Sequence, residues 1–257
     1  MQKTEENEQV YDNGFHPKEV HLKENYKFYR KDLYFKIVRT ILYLITKFIL
    51  FFPKKLVWGF KVVGKKNLKG KRNYVLISNH THPCDSLMLI TALYPTRSHY
   101  ITTLQSNMGF GIVSTYFRYG GATPIPTDMK LFKRFNHDSI ELLKNKGRLI
   151  MFPEASLIPF CDHIRPFMQG AFNFAVGANS IIIPCCFTYH KPKGFYKITR
   201  RKKPCIHFNI LPSYTIKDLG SRKETTNKVA EDLYNILSDY FIKNSDYFYD
   251  ENGKKYE

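Results

Sequence analysis

The sequence predicts an α/β fold: a central, largely parallel or mixed sheet flanked by helices, with an amphipathic membrane-interface helix on the N-terminal side. Strand-like and helix-like stretches alternate from Trp58 onward, the pattern of a chain that winds helices over a sheet. At 257 residues the chain is long enough to bury one substantial core and short for two. One strongly one-sided apolar run precedes the first strand. With 43% hydrophobic and 24% charged residues, the composition excludes a collagen-like chain, a wholly disordered one and a multi-span membrane protein.

Residues 1–30 mix acidic, basic and turn residues without an apolar period, which predicts a polar, poorly ordered or loosely docked tail. From Lys31 the pattern changes. In KDLYFKIVRTILYLITKFILFF, the residues Asp32, Lys36, Arg39, Thr40, Tyr43 and Lys47 share one stripe of a helix, and the opposite side, including Ile37, Ile41, Ile45 and Phe48, is apolar. That arc is wider than a soluble helix needs, and cations border it. The run between charges is shorter than the roughly 20 residues that span a bilayer. Residues 31–56 are therefore expected to lie in a membrane interface, the alternative being a helix packed on the core; Pro53, Lys54 and Lys55 are expected to end the helix.

The rest, 57–257, reads as one α/β domain. WGFKVVG and YVLIS suit strands around the turn KKNLKGKRN, and DSLMLITAL suits a helix. Then follow HYIT as strand, GFGIVSTYFR as helix, GGATPIPTD as loop, MKLFKRFNHDSIELLKN as amphipathic helix, RLIMF as strand, QGAFNFAVGA as helix and SIIIPCCFTYH as strand. After His190 a basic loop and an edge hairpin are expected, and VAEDLYNILSDYFI closes the chain with Val229, Leu233, Leu237 and Phe241 at helical spacing.

Forty Lys and Arg against 22 Asp and Glu leave a net charge of +18, so the surface should attract an anionic partner: nucleic acid, an acidic membrane face or a phosphorylated ligand. Five cysteines without CxxC spacing, and a polar start after Met1, read as a reduced protein on the cytosolic side.

The most informative stretch is VLISNHTHPCDS. A strand ends at Ser78 and delivers Asn79, His80 and Asp85 into the turn before a helix, where α/β folds concentrate ligands and catalysts. On a continuous helix, positions five apart point roughly 140° away from each other. Pro83 disfavours helical geometry at His82 and suits a first helical turn, so the loop can fold His80 back toward Asp85. A carboxylate at a helix N-terminus is favoured by the dipole; it can accept from one ring nitrogen of His80 and leave the other as a general base.

NHTHPCD resembles the N-H-x4-D block of the glycerolipid acyltransferase family, which includes 1-acylglycerol-3-phosphate acyltransferases. Three more stretches are similar to that family's blocks, in its order: GGATPIP at 120–126, FPEAS at 152–156 and IIIP at 181–184. FKVVGKKNLKGKRNYVLISNH is similar to the family's approach to the first block, and the likeness runs from about Val57 to His190.

The resemblance implies an O-acyltransferase of phospholipid biosynthesis. His80 would be the base and Asp85 its partner, with Asn79, Gly120, Gly121, Glu154 and Ser156 at the substrates. Acyl-CoA or acyl-carrier protein would be the co-substrate, with no cofactor and no metal. The acceptor would be a lysophospholipid, 1-acylglycerol-3-phosphate first, giving phosphatidate. Oxyanion donors are expected from the helix start after Pro83 or from the Gly120–Gly121 turn.

Relatives that use lysophosphatidate usually carry arginines in the second and third blocks, thought to hold the acceptor phosphate. Here Thr127 or Asp128 and Leu157 stand instead. Lys130 or Arg165 is the expected replacement. The expected surroundings are the cytoplasmic face of a membrane, peripheral or monotopic, with an anionic surface as partner and no nucleic acid.

Two other classes compete. His80, His82, Cys84 and Asp85 within six positions suit a metal-dependent hydrolase, although no second cluster supplies further ligands. The KITRRKK run suits a non-enzymatic binder of nucleic acid or membranes, although no nucleic-acid-binding motif accompanies it.

Overall fold

The structure is a computed structural model that describes residues 18–93, 99–200 and 203–246. Two helices, α1 (Leu33–Ile49) and α2 (Phe51–Leu56), precede the sheet domain. Then follow β1 (Lys61–Val63), β2 (Tyr74–Ser78), α3 (Asp85–Ala92), β3 (His99–Leu104), α4 (Ile112–Gly120) and β4 (Ala122–Ile125). The chain continues through α5 (Met129–Lys144), β5 (Arg148–Met151), α6 (Gly170–Gly177), β6 (Ile181–His190), α7 (Tyr196–Thr199), β7 (Cys205–Ile210) and α8 (Arg222–Asn244).

Seven strands form one mixed sheet in the order β1-β7-β6-β2-β5-β3-β4. Five are parallel; β7 runs against β6, and β1 runs with β7. β2 lies between β5 and β6 and is buried at every position, which is why YVLIS reads as a continuous apolar run rather than an alternating one. The carboxyl ends of β2, β5 and β6 therefore define one edge of the core, and the chain leaves β2 there.

Three features differ from the sequence expectation. GGATPIP is not all loop: Ala122–Ile125 adds a short edge strand to β3. The segment after His190 is not an edge hairpin, because β1 pairs with the outer side of β7. The helix does not end at Pro53 either. α1 stops at Ile49, Leu50 forms the junction, and Pro53 sits in the first turn of α2, where a missing N–H costs nothing.

The expected tail also departs from its description, although residues 1–17 lie outside the described residues. Residues 18–32 cross the β4 edge as a strap. Phe28 is buried edge-on against Phe135 with ring centroids 5.3 Å apart, its carbonyl accepts from Thr123 Oγ1 at 3.2 Å, and Tyr29 Oη pairs with Ser139 Oγ at 2.7 Å. The aromatic residues Tyr26, Phe28 and Tyr29 drive this docking despite their charged neighbours, and the strap shields an edge that would otherwise be open to pairing.

α1 begins at Asp32, whose Oδ1 accepts from Phe35 N at 2.9 Å. Its inward stripe is Phe35, Arg39, Tyr43 and Thr46, so two members of the expected polar stripe face the domain. Tyr43 Oη donates to Ile90 O at 3.0 Å and Thr46 Oγ1 pairs with Tyr116 Oη, tying α1 to α3 and α4. The apolar arc faces outward: Ile37, Ile41, Leu44, Ile45 and Ile49 are exposed and Phe48 is 80% exposed.

Candidate active site

β2 delivers Ser78 and then Asn79 to the sheet's carboxyl edge. Asn79 is fully buried; its Oδ1 accepts from Phe187 N at 2.8 Å and its Nδ2 donates to Phe187 O at 3.1 Å. The side chain thus replaces the next rung of the β2–β6 ladder and lets the main chain turn out of the sheet. Asn79 is a buried backbone clamp.

His80 follows. Its N–H donates to Glu154 Oε2 at 3.0 Å, its ring stacks on Phe152 at 4.3 Å, and its Nδ1 faces Asp85 Oδ2 at 3.2 Å. The loop closes as Pro83 requires: Asp85 N donates to His82 O at 2.9 Å, and α3 starts at Asp85. Asp85 is completely buried, and its Oδ2 also accepts from Thr81 N at 2.6 Å and His82 N at 2.8 Å. Two backbone donors and the ring hold one carboxylate oxygen in place, so the imidazole is oriented through Nδ1. Nε2 receives no hydrogen bond from any described residue, and the side chain is 22% exposed. A ring held at one nitrogen and free at the other is the geometry of a general base.

The FPEAS loop, which follows β5, supports His80 from below. Glu154 Oε1 accepts from Arg165 N at 3.0 Å and Oε2 from Arg165 Nη2 at 2.9 Å. Arg165 also donates from Nη1 to Ser156 Oγ at 2.6 Å and from Nη2 to Ser156 O. Burial pushes the Glu154 carboxyl up, and the Arg165 guanidinium opposes it. The loop also grips the junction through Ile158 N to His80 O at 3.4 Å and Phe160 N to Thr81 O at 2.9 Å. Ala155 and Phe160 pay for that path with left-handed backbone, at φ +62° and +54°.

Gly120, Gly121 and Lys130 are not brought to His80. Gly120 and Gly121 lie three strands from β2, roughly 14 Å at the usual spacing. The turn also sits level with the first half of β2 rather than its carboxyl end, because Ile101 and Ala122 align through β5 with Leu76. Gly121 has a structural reason to be glycine: at φ +104° it caps α4, and a Cβ there would lie 2.4 Å from Arg39 Nη2 and 2.8 Å from His99 O. Lys130, in the first turn of α5, is exposed and pairs with Glu24 of the strap at 3.0 Å. Arg165 donates instead to Glu154 and Ser156.

The metal-site alternative meets a geometric objection. His82 Nδ1 accepts from Cys84 N at 3.0 Å, and Asp85 Oδ2 is occupied by backbone donors. Burial pushes His82 down, and its ring packs edge-on against Trp58 and Phe160. Among the described residues, potential ligand atoms of three such side chains converge at Cys161, Asp162 and His163 instead.

Sequence reasoning missed Phe152 as the ring beneath His80, Thr81 as an Asp85 donor, and the 158–160 clamp. Phe152 stands beside Pro153 and Glu154 in FPEAS, so its place one residue past β5 was an available signal; the clamp is visible only once the loop is folded.

An acyltransferase family model matches residues 59–188, half of the chain, and contains the whole of this site. The chain belongs to that family: it is an enzyme, an acyltransferase. Among solved structures it is similar to the 1-acyl-sn-glycerophosphate (LPA) acyltransferase PlsC from Thermotoga maritima, with a TM-score of 0.50 and 18% identity over 81% of this chain and 84% of that one. At that identity the likeness is one of fold. No curated protein matches the sequence.

Proposed function

We propose that this enzyme transfers an acyl chain from acyl-CoA or acyl-carrier protein to a hydroxyl of a lysophospholipid, 1-acylglycerol-3-phosphate in the first instance, at the surface of a membrane. The observation that carries the reading is the His80 Nδ1–Asp85 Oδ2 contact of 3.2 Å, with Asp85 buried and His80 Nε2 left for substrate.

In this mechanism Nε2 of His80 takes the proton of the acceptor hydroxyl as that oxygen attacks the thioester carbonyl. The tetrahedral oxyanion then collapses, the carbon–sulfur bond breaks, and the leaving sulfur receives the proton from the imidazolium. The products are an ester and a free thiol, and no redox step or cofactor is required. Asp85 keeps the ring oriented and stabilises its positive charge while it carries the proton. Glu154, through the His80 N–H and Arg165, positions the loop on which the base sits.

The membrane part of the reading rests on α1. A helix that docks through Arg39, Tyr43 and Thr46 and turns its isoleucines and Phe48 outward is packed the wrong way round for water, and the right way round for a bilayer interface. No helix among the described residues is long and apolar enough to cross a membrane. The anionic cytoplasmic leaflet complements a chain of +18 charge and is the surface we assign to it, peripherally or monotopically.

Product mass spectrometry on the purified enzyme in mixed micelles tests the substrate classes, with acyl-CoA and acyl-carrier protein offered against lysophosphatidate and against neutral and zwitterionic lysolipids. The reading expects phosphatidate from at least one donor. Transfer to neutral or zwitterionic acceptors alone would replace the acceptor, and no transfer from any pairing would overturn the reading.

A further inference from the structure

We infer that the described part of the loop joining β6 to β7, residues 191–200 and 203–204, is a second membrane-contact element that seats the mouth of the site against an anionic bilayer; it rests on the membrane-docking reading of α1. The segment KPKGFYKITRRKKP holds seven Lys and Arg and no Asp or Glu. Phe195, the residue that precedes the short helix α7, and Ile198 within it are exposed, the latter at 79%, three positions apart and so on one side. Lys191, Lys193, Lys197 and Lys203 are exposed around them. An aromatic and an aliphatic side chain standing out among exposed lysines match an interface that offers hydrocarbon below and anionic headgroups above.

The loop is anchored rather than loose. Arg200 is buried and donates from Nη1 to Val57 O, its N–H caps α7 by donating to Tyr196 O at 2.9 Å, and Ile206 N donates to Trp58 O at 3.1 Å. Those contacts join the loop to the end of α2, where Phe52, Leu56 and Val57 are exposed, so its apolar surface continues the one that begins on α1. The same anchor borders the His80–Asp85 junction, since the ring of Trp58, whose carbonyl accepts from Ile206 N, packs edge-on against His82 with centroids 5.5 Å apart. A contact here would bring the bilayer to the site's opening, where a lipid acceptor has to enter.

The test uses the full chain and vesicles of phosphatidylcholine with or without phosphatidylglycerol, carrying brominated acyl chains that quench tryptophan on contact. Phe195→Trp is compared with Phe48→Trp on α1, each above the common signal of Trp58. Extra quenching of both, dependent on phosphatidylglycerol, is expected. Quenching at position 48 without quenching at 195 overturns this inference and leaves the α1 reading standing; quenching at neither overturns both. A Phe195→Ser, Ile198→Ser double variant should bind such vesicles at least about tenfold more weakly, with unchanged turnover of a short-chain, water-soluble acceptor. Unchanged vesicle binding with a raised KM for the acyl donor would give the loop to the donor's phosphates instead and overturn the proposal.

Discussion

His80, Asp85, Glu154 and Arg165 form a ladder of contacts in which His80 Nε2 is left without a partner among the described residues. The expectation that Arg165 or Lys130 binds the acceptor phosphate therefore separates into two distinct outcomes. Lys130→Ala should leave kcat and acceptor KM unchanged, since Lys130 is solvated and pairs with Glu24. Arg165→Ala strips a fully buried Glu154 of its cation, and should cost about 3 kcal/mol of stability in denaturant unfolding and lower kcat more than it raises KM. A steep KM rise with normal stability would return Arg165 to the phosphate. His207 supplies a pH signature away from the site. Burial pushes it down to about 4, whereas in the unfolded chain it takes up a proton near pH 6.5. Its contribution to stability is therefore complete above about pH 6.5 and drains away as pH falls toward 4. Because its ring is only partly buried, the loss should be about 1–2 kcal/mol, and His207→Gln should flatten it in pH-dependent melts. The His80–Asp85 pairing was legible because Pro83 announces a break in the helix between them. The Glu154–Arg165 pair was not: partners eleven residues apart in an irregular loop leave no periodicity to read.

The same division holds for the elements. Long, strongly patterned ones, such as β2, β6, α5 and α8, stand where their apolar spacing puts them. Those defined by neighbours were harder to see. β4 is four residues long and carries Pro124, so its strand character comes from pairing with β3 rather than from its own propensity. The Gly-Gly turn precedes it and resembles a family block, yet sequence order does not tell which end of the sheet a turn occupies; the parallel register puts this one far from His80. The strap over β4 looked like a tail because its charges outnumber its aromatics, although Phe28 alone is buried nearly completely. Truncating it, Phe28→Ala, should cost about 3 kcal/mol in denaturant unfolding. An unchanged midpoint would mean that the strap is not docked in solution. α1 was legible as amphipathic, but which side faces the domain was not, because the partners of its polar stripe, the Tyr100 ring beneath Arg39 and the Ile90 carbonyl that accepts from Tyr43, lie far along the chain.

At the scale of the molecule, a mixed sheet presents the His80–Asp85 pair at its carboxyl edge, a lysine-rich loop follows β6, and a helix turns its apolar side outward. The family of enzyme follows from the chain's match over residues 59–188; the membrane, the donor and the acceptor follow from the proposals above, which put the +18 charge to use in bringing the enzyme to its lipid. All of it depends on His80 being the group that takes the acceptor's proton. The most direct measurement is kcat/KM for acyl transfer by wild type, His80→Ala and Asp85→Asn, each checked for unaltered folding by circular dichroism and thermal melting. The dyad predicts a loss of about 10²–10⁴-fold for His80→Ala and a loss of similar size for Asp85→Asn, whose amide can no longer stabilise the imidazolium. A folded His80→Ala enzyme that retains wild-type kcat/KM would contradict it.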